Sequence, residues 1–277
     1  MQNNMNDGNS SSPLGAEGSI LDKIVLRKKE EVADAKRLVS IQNLEKAEHF
    51  KRTPYSFKEF LLAEDRTGII AEFKRRSPSK GLINGTVDVA EVTQAYNKAG
   101  ASALSVLTDV DFFGGKTDDI LAARAANNIP ILRKDFMIDE YQILEAKAWG
   151  ADIILLIASI LTPKQIHDFG KFAKDLGLNV LLEVHNLEEL ERSISPNLDA
   201  IGVNNRNLGD FTVNIQTSFD LVNKIPNEFL KISESAISDP GIIKDLKTAG
   251  FNGFLIGENF MKTENPGVAI REFVAQI

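Results

Sequence analysis

Lysine and glutamate recur at one kind of place in this chain, at the far end of a short apolar run or just beyond it. Glu72 and Lys74 end the run Ile-Ile-Ala-Glu-Phe-Lys, Lys134 ends Leu-Arg-Lys-Asp-Phe, and Glu183 lies within Leu-Leu-Glu-Val-His. Residues two apart on a strand share a face, so Glu72 and Lys74 point the same way and their apolar neighbours the other. A lysine at a strand end beside an aromatic is an acid with an adjustable pKa. A glutamate among apolar residues is costly unless it is paired or used. Such groups together could give and take protons. Two opposite charges at a barrel mouth suggest a site, with a structural ion pair between Glu72 and Lys74 as the lesser alternative. The following runs also end in polar residues: Asn204-Asn205-Arg206, Ser233-Glu234-Ser235 and Gly257-Glu258-Asn259. Repetition at the same end of successive strands points to one converging polar cavity.

Other residues supply possible walls and anion contacts. Phe112, Phe113 and Phe136, with Leu155, could line an apolar slot for a ring, although plain core packing accounts for at least one of them. Ser235-Ala236 and Gly257-Glu258 place small residues and backbone N–H groups just before helices, where barrels commonly hold phosphate. Lys74-Arg75-Arg76, read as the start of a loop, could draw an anion to the same mouth. Ser77-Pro78-Ser79-Lys80 fits the Ser-x-x-Lys pattern of penicillin-binding enzymes, but the proline disfavours the helix start and no Lys-Thr-Gly strand accompanies it. His49, His167 and His185 have no metal-ligand spacing, so no metal is expected.

The elements that must position these residues alternate. Apolar runs at residues 69–73, 103–107, 129–132, 153–157, 180–184, 200–203, 230–232 and 254–256 are predicted strands. Between them lie stretches of helical spacing, such as Val89, Val92, Tyr96 and Ala99, or Ile166, Phe169, Ala173 and Leu176. Thr162-Pro163-Lys164-Gln165, Asn186-Leu187-Glu188-Glu189 and Asp239-Pro240 mark helix starts. Gly100, Gly150, Gly177 and Gly250 mark helix ends. Strand and helix in short alternation require parallel strands and right-handed crossovers. The expected fold is α/β, a single (β/α)8 TIM barrel. An open doubly wound sheet is the alternative, and no Gly-x-Gly-x-x-Gly follows the first strand to support it.

Length and composition agree. The chain has 277 residues, suited to one barrel of roughly 250. Residues 1–17 read as a disordered tail. Residues 18–277 are expected to form the barrel, with a helical extension over 18–66 whose first stretch, with Ile20, Ile24 and the Glu30/Glu31–Lys36/Arg37 region, reads as a helix with a solvated charged face packed over the barrel. Lys and Arg total 32 against 39 Asp and Glu, a net charge of −7, which argues against a nucleic-acid partner. Without cysteine there is no disulfide framework, thiolate zinc site or cysteine nucleophile. No secretory signal or run of about 18 apolar residues is visible, so no membrane partner and a cytoplasmic location are expected.

The residues now assembled resemble the indole-3-glycerol phosphate synthase family. The likeness is carried by Ile20-Leu21-Asp22-Lys23-Ile24, by Ile70 through Ser79, by Leu104 through Asp109, and by Arg133-Lys134-Asp135-Phe136. It continues through Leu182-Glu183-Val184-His185, Ile201 through Arg206, Ser233-Glu234-Ser235 and Phe254 through Glu258. The family converts 1-(2-carboxyphenylamino)-1-deoxyribulose 5-phosphate into indole-3-glycerol phosphate, releasing carbon dioxide and water. The resemblance implies Lys134 as the acid of ring closure, with Lys74 and Glu183 as second acid and base and Glu72 positioning Lys74. It implies Asn204 as a hydrogen-bonding catalytic group, and Glu234 and Ser235 against the sugar chain. Ser77, Arg206, Phe113, Phe136 and Leu155 would hold the carboxylated ring. Backbone groups of Ser235, Ala236, Gly257 and Glu258, with Lys74 nearby, would hold phosphate. No cofactor is implied, and the partner is a phosphorylated small molecule. The family usually has glycine where this chain has Ala236. A monofunctional enzyme is expected, monomeric, with a weak homodimer as the other state. A non-catalytic barrel that only binds phosphorylated ligands is the alternative.

Overall fold

The structure, a computed structural model, describes residues 19–207, 209 and 211–277. The expected tail at 1–17 lies outside the described residues. Eight strands close into one parallel barrel: β1 Ile69–Phe73, β2 Ala103–Leu107, β3 Ile131–Lys134, β4 Ile153–Ile157, β5 Asn179–Val184, β6 Ala200–Asn204, β7 Leu230–Glu234 and β8 Gly253–Ile256. They follow one another around the ring in sequence order, and β8 pairs with β1 to close it. Among the described residues the helices are α1 Ile20–Leu38, α2 Ile41–Glu45, α3 Phe57–Leu61, α4 Val89–Lys98, α5 Thr117–Ala126 and α6 Glu140–Ala148. They continue as α7 Pro163–Asp175, α8 Leu187–Ser193, α9 Gln216–Leu221, α10 Gly241–Ala249, α11 Glu258–Met261 and α12 Pro266–Val274. The TIM-barrel expectation holds.

Alternation along each strand divides the apolar residues into two sets. Ile69, Ala71 and Phe73 of β1 join Leu104, Val106, Ile154, Leu156 and Ile201 in the layer packed against the surrounding helices. Ile70, Ala103, Leu132, Ile153, Leu155, Leu181 and Ile232 fill the barrel interior. Both sets are buried, as a parallel sheet covered on both faces requires.

Local chemistry sets the boundaries. Thr162 and Gln165 form a reciprocal capping box at α7, with Pro163 in its first turn. Asn186 caps α8 by accepting from the Glu189 amide at 2.8 Å. Gly100, Gly150, Gly177 and Gly250 all take positive φ at the helix ends. β3 begins two residues later than predicted, at Ile131, because Pro130 ahead of it has no N–H to give a neighbouring strand. Its carbonyl still accepts from the Leu104 amide at 2.9 Å. β3, β6 and β7 run on into Lys134, Asn204 and Glu234, whose backbones remain in register with β2, β7 and β6.

Two sequence expectations need correction, and one buried charge was not foreseen. Glu30, Lys36 and Arg37 of α1 are exposed as expected, whereas Lys28 on the same helix is buried, 3% exposed, and pairs with Asp109 and Asp135. The segment after β1 is not a plain loop, since Arg76–Ser77 pairs antiparallel with Gly81–Leu82. Arg75 does not face the mouth. It forms a forked pair with Asp119 on α5, and its guanidinium lies 4.8 Å from the Phe73 ring centroid.

The extension touches both ends of the barrel. At the strand-start end, the Asn179 side chain accepts from the Phe57 amide at 3.2 Å and donates to the Tyr55 carbonyl at 2.9 Å, while Leu61 packs over Gly253. At the strand-end side, α1 reaches Asp109 and Asp135 through Lys28.

Candidate active site

An open cavity of about 820 Å³ lies at the strand-end mouth. β1 contributes Glu72, with Lys74 just past its end; β3 contributes Lys134, β5 Glu183, β6 Asn204 and β7 Glu234. Ser77, Phe113, Phe136, Leu155, Arg206, Ser235 and Glu258 also line it. A second opening of about 1150 Å³ shares Glu72, Lys74, Arg206, Ser235 and Glu258, and adds Ala236 and Gly257. Every catalytic, ring-binding and phosphate-binding residue implied by the resemblance therefore borders one of two adjoining spaces. Phe112 borders neither and packs with the interior cluster.

Charge is concentrated in a linked set. Lys134 Nζ donates to Glu183 Oε2 at 2.8 Å and to Glu234 Oε2 at 2.9 Å. Lys74 Nζ lies 2.8 Å from Glu72 Oε1, and Ser105 donates to Glu72 Oε2 at 3.4 Å. Burial disfavours the Lys134 ammonium, but the Glu183 and Glu234 carboxylates outweigh it and hold its pKa above the ordinary lysine value. Burial also disfavours charge on Glu183. There Lys134 and His185 prevail, keeping its pKa below the usual carboxylate range. Glu234 goes the other way. Burial, reinforced by repulsion from Glu183 and Glu72, exceeds the pull of Lys134 and pushes its pKa up to about 7. Two carboxylates on one ammonium are thus driven apart in proton affinity, the pattern of an acid–base site.

Glycines make room for these carboxylates. A Cβ on Gly202 would overlap Glu234 Oε1, and one on Gly257 would sit 2.6 Å from Glu72 Oε1. Glu234 Oε1 is buried over Gly202 and has no hydrogen-bond partner among the described residues.

Sequence reasoning missed several contributors. His185 carries its Nε2 to 3.3 Å from Glu183 Oε1, out of hydrogen-bond alignment, while its Nδ1 lies 3.1 Å from Glu189 Oε2. Burial lowers its pKa, but both glutamates raise it, to about 10. The spacing from Glu183 to His185 was the available signal, since alternate strand residues share a side. Leu107, Ile157, Leu255 and Phe211 extend the apolar lining. The three inward aliphatic positions follow strand alternation, whereas Phe211 has no such signal.

The loop after β7 has unusual backbone. Ser235 and Ala236 take φ of +65° and +62°, the left-handed region that favours glycine. This explains physically why the departure at Ala236 matters: its methyl carries a conformational cost there.

A closed parallel barrel whose mouth gathers lysines against glutamates has the construction of a barrel enzyme that works by proton transfer. The sequence profile of indole-3-glycerol phosphate synthase matches residues 21–273. The chain belongs to that family, carboxy-lyases of tryptophan biosynthesis. It is 48% identical over 258 residues to the indole-3-glycerol phosphate synthase of Bacteroides thetaiotaomicron, covering 93% of this chain and 98% of that one. It is 41% identical over 259 residues to that of Bordetella pertussis, covering 92% and 99%. Among solved structures, an N-acetylmannosamine-6-phosphate 2-epimerase from Clostridium perfringens superposes with a TM-score of 0.54 at 15% identity, over 72% of this chain and 90% of that chain, a likeness of fold alone.

Proposed function

We propose that the Lys134–Glu183–Glu234 cluster carries the acid–base steps by which this chain closes and dehydrates the indole ring of indole-3-glycerol phosphate. The observation behind the assignment is the single ammonium within 2.9 Å of both carboxylates at the cavity wall. Attack of the substituted ring carbon on the ketone puts negative charge on the carbonyl oxygen, and Lys134 donates its proton there. Carbon dioxide then leaves from the ring carbon, and the electrons of that bond enter the ring system. Dehydration follows: an acid protonates the departing hydroxyl and a base removes a proton. Lys74 is the acid and Glu183 the base, with Glu72 fixing the Lys74 ammonium. Asn204 and Glu234, both on the cavity lining, orient hydroxyls of the chain.

Phe113, Phe136 and Leu155 hold the ring apolar side on, and Ser77 and Arg206 meet its carboxylate. The phosphate sits in the adjoining space against backbone N–H groups at Ser235, Ala236, Gly257 and Glu258, with Lys74 nearby. Among the described residues no helix is long and apolar enough to cross a membrane. We further propose a cytoplasmic monomer that binds no nucleic acid, in keeping with the net charge of −7 and the absence of cysteine.

The test is turnover of the carboxyphenylamino substrate, followed by indole fluorescence, in wild type and in Lys134→Met. The expected loss is at least about 10³-fold in kcat/KM, or about 4 kcal/mol, with the far-ultraviolet circular dichroism unchanged. Fold is retained because Glu234, already near neutrality, takes up a proton when its counter-ion is removed. Equal turnover in the two proteins would return the assignment to a barrel that only binds.

A further inference from the structure

We propose that Lys28, on the helical extension outside the barrel, is a positioning residue that sets the aromatic wall for the substrate ring. Its ammonium lies 3.0 Å from Asp109 Oδ2 and 2.9 Å from Asp135 Oδ1. It also donates to Glu31 at 2.6 Å. Asp109 is fully buried just beyond β2, and Asp135 is 4% exposed just beyond β3. One cation from α1 thus joins two neighbouring strand ends.

What these aspartates do next carries the inference. Asp109 Oδ1 accepts the backbone N–H groups of Phe112 at 2.9 Å and Phe113 at 3.1 Å. Asp135 Oδ1 accepts the Phe136 N–H at 2.8 Å. Phe113 and Phe136 both border the mouth cavity, with ring centroids 6.0 Å apart. Each wall ring therefore hangs from a carboxylate that Lys28 touches.

The two aspartates are not held equally without it. Asp135 Oδ2 also receives Thr108 Oγ1 at 2.6 Å and Arg133 at 3.1 Å. No hydrogen bond reaches Asp109 Oδ2 among the described residues, so the ammonium compensates that charge. Removing it would leave a fully buried carboxylate to rotate or draw in water, and the Phe112–Phe113 amides would lose their acceptor. Arg27 and Asp111 add an exposed pair at 2.6 Å between the same two segments, but an exposed pair contributes little.

This rests on the ring-binding reading above, so wild-type turnover must be established first; its absence would sink that reading and leave the Lys28 question to be decided by ring binding. The experiment compares Lys28→Met with wild type in steady-state kinetics on the carboxyphenylamino substrate and in binding of inorganic phosphate. KM is expected to rise about tenfold or more, with kcat within about threefold and phosphate affinity within about twofold. A purely structural role would weaken phosphate and substrate together. Should Lys28→Met fail to fold, Asp109→Asn, similar in size and still an acceptor, replaces it. As a neutral acceptor it bonds the two amides more weakly, so KM should rise about threefold or more with phosphate binding unchanged. An unchanged KM in Asp109→Asn, or a parallel loss of phosphate affinity in either variant, overturns the proposal.

Discussion

The carboxylate of Glu234 occupies the space that a side chain on Gly202 would fill. The two residues lie on adjacent strands, β7 and β6, and Gly202 sits in register with Ile232. From this place Glu234 reaches Lys134 across the barrel mouth. Gly202→Ala is therefore expected to push Glu234 aside and break that contact while leaving the ladder intact. Activity should fall about 10²–10³-fold, equivalent to about 3–4 kcal/mol of barrier. Kinetics and thermal unfolding on the same sample check it, since a fully active Gly202→Ala would mean that Glu234 is dispensable where it stands.

Proton affinity within the cluster gives a pH profile. Glu234, lifted to about 7 by burial, is neutral below that pH and charged above it. Its charged form completes the two-carboxylate cradle around Lys134, so kcat/KM is expected to rise as pH increases through about 7. Glu234→Gln should lose this limb. A wild-type profile flat from pH 6 to 8 would contradict the assignment, provided chemistry limits the rate.

Stability should also depend on pH, through His185. Its folded pKa, about 10, lies above the ordinary imidazole value. A group raised on folding contributes fully below its unfolded pKa, and the contribution fades as pH climbs through the folded one. The window is thus about 6.5 to 10, and the loss across it is on the order of 2–4 kcal/mol. Unfolding midpoints measured across this range should fall in wild type and fall less steeply in His185→Gln. Parallel slopes would show that the imidazolium is not what Glu183 and Glu189 stabilise.

Ala236 offers the reverse kind of change. At φ +62° its methyl is strained, whereas glycine adopts this backbone freely. Ala236→Gly relieves a cost of about 1–2 kcal/mol and gains chain entropy in the unfolded state, leaving a net stabilisation of about 0.5–1 kcal/mol. The smaller residue should also tighten inorganic phosphate, measurable as a lower inhibition constant. Weaker phosphate inhibition would place the anion away from this loop.

The barrel was readable because its signals are local. Apolar runs, caps such as Thr162 with Gln165, and the helix-ending glycines involve neighbours in sequence. The polar strand ends were equally visible, since Lys134, Glu183 and Glu234 interrupt apolar runs. Partnership was not visible. Arg75 turns to Asp119, and Lys28 dives toward Asp109 and Asp135, because strands distant in sequence lie side by side in space. A basic run and a charged helix look solvated until those neighbours are known. The left-handed backbone at Ser235 and Phe211 was hidden for a related reason: neither residue type announces that conformation.

The plug formed by Phe57 and Leu61 at the opposite end of the barrel has a bearing on engineering. Phe57 is fully enclosed and Leu61 nearly so, yet neither borders the reaction space. Durability and chemistry are thereby housed at opposite poles, and repacking that base offers a way to harden the enzyme against heat while leaving its catalytic rim untouched.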